Sequence, residues 1–254
     1  MKAIKTLAST AVLVSCVAAV PAQAEMFWSS NSISVLHSGD YLSPFTGEDV
    51  ELTTMTLEHA SGHDWGDAFF FADRHNGKGS NASFNETYGE LSPRFSLSNL
   101  SGSSLEAGPI KDVLIATTYE FGSNSSGFSQ DNYLYGVGVK WDVPGFAFFN
   151  TNVYYADNEN VESDMQLTIT YGVPFSLGEV DMMLDGYIDW SSAEGDHASD
   201  FHFNPQLRAN VGKFFGITKS KLEAGIEYSY WSNKYGVATD ENESAVSALI
   251  KYFL

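Results

Sequence analysis

Cysteine is almost missing: Cys16 is the one thiol in 254 residues. It lies in a segment with the marks of a secretory signal. Lys2 and Lys5 supply charge, Leu7 to Val20 an apolar stretch, and Ala22-Gln23-Ala24 a small-residue cleavage site. The expected division is a signal peptide over 1–24 and a mature domain over 25–254. Cleavage would leave no thiol, which excludes disulfides, thiolate zinc sites and thiol catalysis. Leu13 to Cys16 also loosely matches a lipoprotein cleavage box, and that processing exports the chain too. Basic residues are scarce as well, 13 against 32 acidic ones, for a net charge of −19. Losing Lys2 and Lys5 takes this to −21, which argues against nucleic-acid backbones as partners. Beyond residue 24 no apolar run is long enough for a spanning helix. An apolar content of 43% is low for a helical membrane protein. It suffices for a barrel, which needs one apolar face per strand.

What is present is alternation. The hairpin from Asp131 to Tyr155 shows it best. Tyr133, Tyr135, Val137, Val139 and Trp141 share one parity of the first arm, while Asn132, Gly136, Gly138 and Lys140 share the other. After the turn Asp142-Val143-Pro144-Gly145, Ala147, Phe149, Thr151, Val153 and Tyr155 oppose Phe148, Asn150, Asn152 and Tyr154. A period of two is a strand with unlike faces. These arms are aromatic near their ends and aliphatic or small in the middle, the pattern of an outer-membrane strand.

The same pattern recurs along the chain. Ahead of the hairpin it predicts strands over Phe27–His37, Val50–His59, Trp65–Arg74, Tyr88–Leu97 and Lys111–Phe121. Beyond it come Asp164–Val173, Glu179–Trp190, Phe201–Val211, Leu222–Trp231 and Val246–Leu254. The parity shift between Leu52 and Met55 predicts a bulge, and Phe69-Phe70-Phe71 leaves the third strand's facing open. Ser61-Gly62 and Pro174–Gly178 read as turns, and Asn76–Glu86 as an external loop. The fold class expected is all-β: an antiparallel transmembrane β-barrel of about twelve strands, with short turns alternating with longer loops.

Asp67–Asp73 (DAFFFAD), Glu90–Leu97 (ELSPRFSL), Gly108–Asp112 (GPIKD) and Asn132–Val139 together resemble the Tsx-type nucleoside-specific channel family, which includes OmpK-like outer-membrane proteins. The resemblance covers most of the mature chain and is best from Trp65 to Tyr155. It implies a monomeric barrel in outer-membrane lipid, with a narrow lumen that passes nucleosides or similar small solutes by diffusion. It also implies a phage-receptor role. Two features depart from the family pattern: the chain ends in Leu254 rather than Phe, and its second half is shorter.

A nucleoside is neutral, with an aromatic base and a hydroxylated sugar. A selective lumen should offer rings for the base and carboxylates, amides or Arg for the hydroxyls. The polar parity supplies Glu90, Arg94, Asp112, Glu120 and Lys140 from the first half. The second half adds Asn150, Asn152, Tyr154, Asp185, Asp189, Arg208, Glu223 and Glu227. Arg94 and Arg208 equally suit ion pairs that hold the interior together. Phe27, Trp28 and Phe69 suit base stacking or an interfacial position. Tyr133, Trp141, Tyr155, Trp190 and Tyr230 read as an interfacial girdle.

Neither a cofactor nor a catalytic role is expected. The nearest Ser/His neighbours are His37-Ser38 and His59 with Ser61, and a barrel lipid hydrolase is the weaker alternative. Asp196, His197, Asp200 and His202 could meet as metal ligands, but they fall in or beside an acidic loop where solvated charge is commoner. A closed barrel acting as a surface receptor is the other reading of the longer loops.

Overall fold

The computed structural model describes residues 24–79, 83–218, 221–239 and 241–254. The signal-peptide reading of residues 1–24 therefore lies almost wholly outside the described residues. Twelve strands form: β1 (Met26–Ser43), β2 (Glu48–His63), β3 (Gly66–Lys78), β4 (Ser83–Ser96), β5 (Ile110–Asn124) and β6 (Ser129–Trp141). They continue as β7 (Phe148–Asp157), β8 (Asp164–Leu177), β9 (Val180–Ser191), β10 (Asp200–Asn210), β11 (Leu222–Ser232) and β12 (Glu243–Phe253). Each pairs antiparallel with its sequence neighbours, and β12 returns to β1 to close the barrel. The even strand number leaves both described ends of the chain at one end of the barrel. We call that the termini end and the opposite one the far end.

The strands run from 10 residues in β7 to 18 in β1. About 9–11 tilted residues cross a bilayer, so the longer strands project beyond it. The outer wall carries Val137, Val153, Ile226 and Ile250, each about half exposed. Tyr135, Tyr155 and Trp190 stand outward towards the far end. Trp141 lies towards the termini end, its indole N–H donating to Thr151 Oγ1 at 3.0 Å. Apolar middles flanked by aromatic ends put a broad apolar surface on the outside, the pattern of an outer-membrane barrel.

The twelve strands expected from the alternation are all present, but several boundaries move. β3 and β4 run through most of the segment 76–86 read as a loop, pairing Asn76 with Asn85 and Lys78 with Ser83. A ladder satisfies backbone groups whatever the side chains are, so Gly- and Asn-rich sequence did not end these strands. Ser61-Gly62 is strand, and the chain turns at Asp64-Trp65, outside β3. β8 continues through Pro174 to Leu177, and only Gly178 and Glu179 turn the chain. The expected bulge between Leu52 and Met55 is absent, because β2 is in regular register there. Leu52 is simply an inward apolar residue, 5% exposed, and Met55 an outward one. The irregularity lies opposite, in β1 between Ser38 and Tyr41. Nor do loop lengths alternate as expected: two of the longest connections, 97–109 and 211–221, are at the termini end. The first holds α1 (Leu97–Ser101), N-capped by Ser96.

One seam is short. β1 and β2 pair from Met26 to Ser43, but β1 and β12 pair only over Ser32–His37 against Ala248–Phe253.

Candidate functional site

The site is the lumen, and register fixes which side chains enter it. On β3 the inner face carries Asp67, Phe69, Phe71, Asp73 and His75, because these pair with Arg94, Ser92, Glu90, Tyr88 and Glu86 of β4. Around the barrel the same ladder brings Glu120, Asn132, Asn152, Asp189, Arg208 and Glu227 inward.

Near the termini end the lumen is cross-linked by ion pairs. Arg94 grips both carboxylate oxygens of Asp67, at 2.8 and 2.9 Å. Lys140 reaches the same carboxylate at 2.6 Å, and Arg94 also donates to Asn152 Oδ1 at 3.3 Å. A second network centres on Arg208, 3% exposed. It donates to Glu223 at 2.7 Å, to both oxygens of Asp185 and to Gln206 Oε1. Lys251 meets Glu58 at 2.7 Å. At the far mouth Lys234 meets Glu243. Every one of these lumen cations therefore meets a carboxylate, Arg94 and Lys140 sharing Asp67.

The waist between these ends differs. Asp73, Glu90, Glu120, Asp189 and Glu227 face the passage there. Their hydrogen-bond donors are neutral: Thr56 donates to Asp73 at 2.5 Å, Tyr88 to Glu90 at 2.9 Å, Asn132 to Glu120 at 3.0 Å and Gln206 to Glu227 at 2.7 Å. Asp189 Oδ1 is buried with no hydrogen-bond partner. Glu90 lies within electrostatic reach of Glu120, Asp189 and Asp73, and Asp73 of Glu227. Rings interleave with these acids: Phe69 and Phe71 have centroids 6.0 Å apart, and Phe71 and Tyr88 5.8 Å. Beside β5–β7 the lumen is filled by Leu134, Tyr154 and Ala156 packed on Ala116, which narrows the path.

The residues singled out from sequence divide accordingly. Glu90, Glu120, Glu227 and Phe69 stand in the waist. Arg94, Lys140, Asn152, Asp185 and Arg208 belong to the ion-paired networks. Asn150 donates to Thr170 Oγ1 at 3.0 Å across the β7–β8 pair. Asp112 accepts from Ser98 Oγ at 2.7 Å and from the amide of Val113 at 2.9 Å, which ties down the start of β5. Trp28 pairs with Gly62 on the inner register at the termini rim, and its indole lies where a Cβ on Gly62 would have to sit. Phe27 falls in a bulge outside that register and is 61% exposed. Sequence reasoning missed Asp67 and Asp73, because three consecutive phenylalanines hid the period of two. It also missed Lys234 and Glu243, which belong to a connection with no period.

His37 and Ser38 point to opposite faces, as neighbours on a strand must. On the outer wall His59 does meet Ser61, Nε2 to Oγ at 3.0 Å, and Asn31 Oδ1 sits 2.7 Å from His59 Nδ1. Ser61 is only 1% exposed, so its hydroxyl is shielded. Asp200 and Asp164 lie 3.4 and 3.9 Å from His197. His202 instead stacks on Trp231, with centroids 4.1 Å apart.

A closed barrel, apolar outside and polar along its axis, defines a pore-forming protein of the outer membrane. The family model described as nucleoside-specific channel-forming protein, Tsx, matches residues 26–253, and the chain belongs to that family. It is 26% identical over 224 residues to the nucleoside-specific channel-forming protein Tsx of Escherichia coli O157:H7, covering 80% of this chain and 74% of that protein. It is 29% identical over 108 residues to outer membrane protein OmpK of Vibrio parahaemolyticus serotype O3:K6, covering 40% of this chain and 41% of that one. Among solved structures, a KdgM porin superposes with a TM-score of 0.50 at 11% identity, covering 87% of this chain and 98% of that one. That likeness concerns the fold alone.

Proposed function

We propose that this channel passes nucleosides, or small neutral solutes of the same build, passively across the outer membrane. The observation that carries the reading is the waist. Its carboxylates accept hydrogen bonds only from neutral groups, and no cation bonds to them directly. Such oxygens can accept from sugar hydroxyls, which donate, while the faces of Phe69, Phe71 and Tyr88 offer stacking to a base. Carboxylates that no cation bonds to also disfavour anions in a narrow path, so a nucleoside should be preferred to its phosphorylated form. On this reading Glu90, Glu120, Asp189, Glu227 and Phe69 touch solute. Arg94, Lys140, Asn152, Asp185 and Arg208 hold the wall, and Trp28 borders the termini-end opening. Near the far mouth a cavity of about 220 Å³ is lined by Tyr41, Phe45, Phe84, Glu86 and Tyr235, the same pairing of rings and carboxylate.

Passage requires no covalent step and no cofactor. The mature protein would begin at Glu25, after export and cleavage, and work as a monomer with lipid against its apolar wall. The test is single-channel recording in planar bilayers. Adenosine or thymidine should block the current reversibly at concentrations where adenosine monophosphate does not. A wide pore that nucleosides leave unblocked would overturn the assignment of cargo.

A further inference from the structure

The barrel's weakest join is the far half of the seam between β1 and β12. Past the pair His37–Ala248 the two strands share no further ladder partner among the described residues. The irregularity between Ser38 and Tyr41 diverts β1 at that level, while Glu243–Ser247 pair with β11 alone. Elsewhere backbone hydrogen bonds close the wall; here a side chain does. Lys234, in the connection after β11, donates from Nζ to the carbonyl of Leu42 on β1 at 3.0 Å and to the carboxylate of Glu243 on β12. Lys234 is 2% exposed and Glu243 0%. Ser229 donates to the other oxygen of Glu243 at 2.5 Å, and the ammonium lies 3.7 Å above the ring of Tyr41.

The connection is bent to deliver this contact. Asn233 and Tyr235, on either side of Lys234, adopt φ values of 47° and 59°. Left-handed backbone is unfavourable for residues with a side chain and persists only where the surroundings enforce it. The enforcing contacts run to the β9–β10 connection. Asn233 Nδ2 donates to Ser199 O at 2.8 Å, and the amide of Ala198 to Gly236 O at 2.8 Å.

We propose that Lys234 is a bolt across this seam, and that by fixing the far half of β1 against β12 it sets the size limit for solutes entering the pore. The proposal rests on the channel reading for its consequence, but the bolt has a structural readout of its own. An ion pair this buried is costly to break on one side, because the remaining charge stays in a site built for two. Removing only the lysine should therefore free Glu243 and loosen the connection. With the bolt gone, no ladder joins β1 to β12 at that level.

The experiment compares the parent with Lys234→Ala and with Lys234→Met/Glu243→Gln. The double variant keeps the volume and leaves no lone buried charge. It serves as the folding-safe variant if the single one does not assemble. Liposome swelling with neutral sugars of increasing size and single-channel conductance report the passage. Amide exchange at Tyr41–Ser43 reports the seam. The proposal expects conductance to rise several-fold, a larger sugar to be admitted, and exchange at Tyr41–Ser43 to quicken in either variant. Unchanged cut-off and exchange in a conducting parent would overturn the bolt and leave the channel reading intact. If neither parent nor variants pass any sugar, the channel reading fails. Exchange then decides the bolt separately, quickened supporting it and unchanged overturning it.

Discussion

The termini-end half of the lumen and its waist are built from the same residue types and do different things with them. In the first, Arg94, Lys140, Arg208 and Lys251 each meet a carboxylate, and Arg208 meets two. In the second, Asp73, Glu90, Glu120 and Glu227 meet only hydroxyls and amides. A cation and its carboxylate that satisfy each other have little left to offer a passing solute. They brace neighbouring strands instead, as Arg208 ties β9, β10 and β11 together. Carboxylates held by neutral donors keep free lone pairs and an outward field. Charge balance therefore separates the ion-paired part of the lumen from the part proposed to meet solute, where a count of charged residues could not.

That contrast can be broken in graded ways. The largest effect should come from Arg208→Met. It strands Asp185 and Glu223 beside each other in a site where Arg208 is 3% exposed. A loss of about 3–5 kcal/mol is expected, measured by urea or thermal unfolding of the folded barrel in detergent. A loss under about 1 kcal/mol would show the network to be idle. Next is the waist, neutralised together by Glu90→Gln, Glu120→Gln and Asp189→Asn. In a potassium chloride gradient the reversal potential should move from the cation side towards zero, while stability changes little. An unmoved potential would mean that the waist does not set the field in the pore. The difference should be largest at low salt, because screening shortens the reach of these charges to about 10 Å at 0.1 M.

Two smaller changes sharpen the comparison. Lys140→Met should cost far less than Arg208→Met, about 1 kcal/mol, because Asp67 keeps its two bonds from Arg94. Equal losses would show that Lys140 is as essential as the arginines. Tyr88→Phe removes one neutral donor from Glu90 and should lower stability by about 0.5–1.5 kcal/mol at most. Its clearer sign should be altered nucleoside block, measured as the blocking constant in bilayers. A block indistinguishable from the parent would remove Tyr88 from the solute path.

Much of this was legible beforehand. Strand number and the facing of β5, β6, β7 and β10 follow from a period of two, because a strand in a barrel wall has only two sides. The third strand was not legible, since Phe69, Phe70 and Phe71 satisfy either face, and Asp67 and Asp73 were lost with it. The segment from Asn76 to Glu86 misled for a different reason. Polar, Gly-rich sequence usually marks a loop, yet a strand there needs only backbone pairing, which the side chains do not decide. Candidate lumen residues could be chosen by parity, but parity could not tell a paired carboxylate from a waist carboxylate.

The sequence by itself determined the wall: alternate side chains suited to lipid and to water leave a chain of this length few arrangements other than a closed ring of strands. Only the tertiary structure decided the partners. Asp67 on β3 finds Arg94 because β4 lies beside it, and Lys140 because β6, three strands along the wall, faces the same interior. Lys234 finds Leu42 across 192 positions because the last strand returns to the first. Alternation is a local property that each strand states for itself. Pairing across the lumen depends on which strands closure brings together and at what register, and no local pattern encodes that.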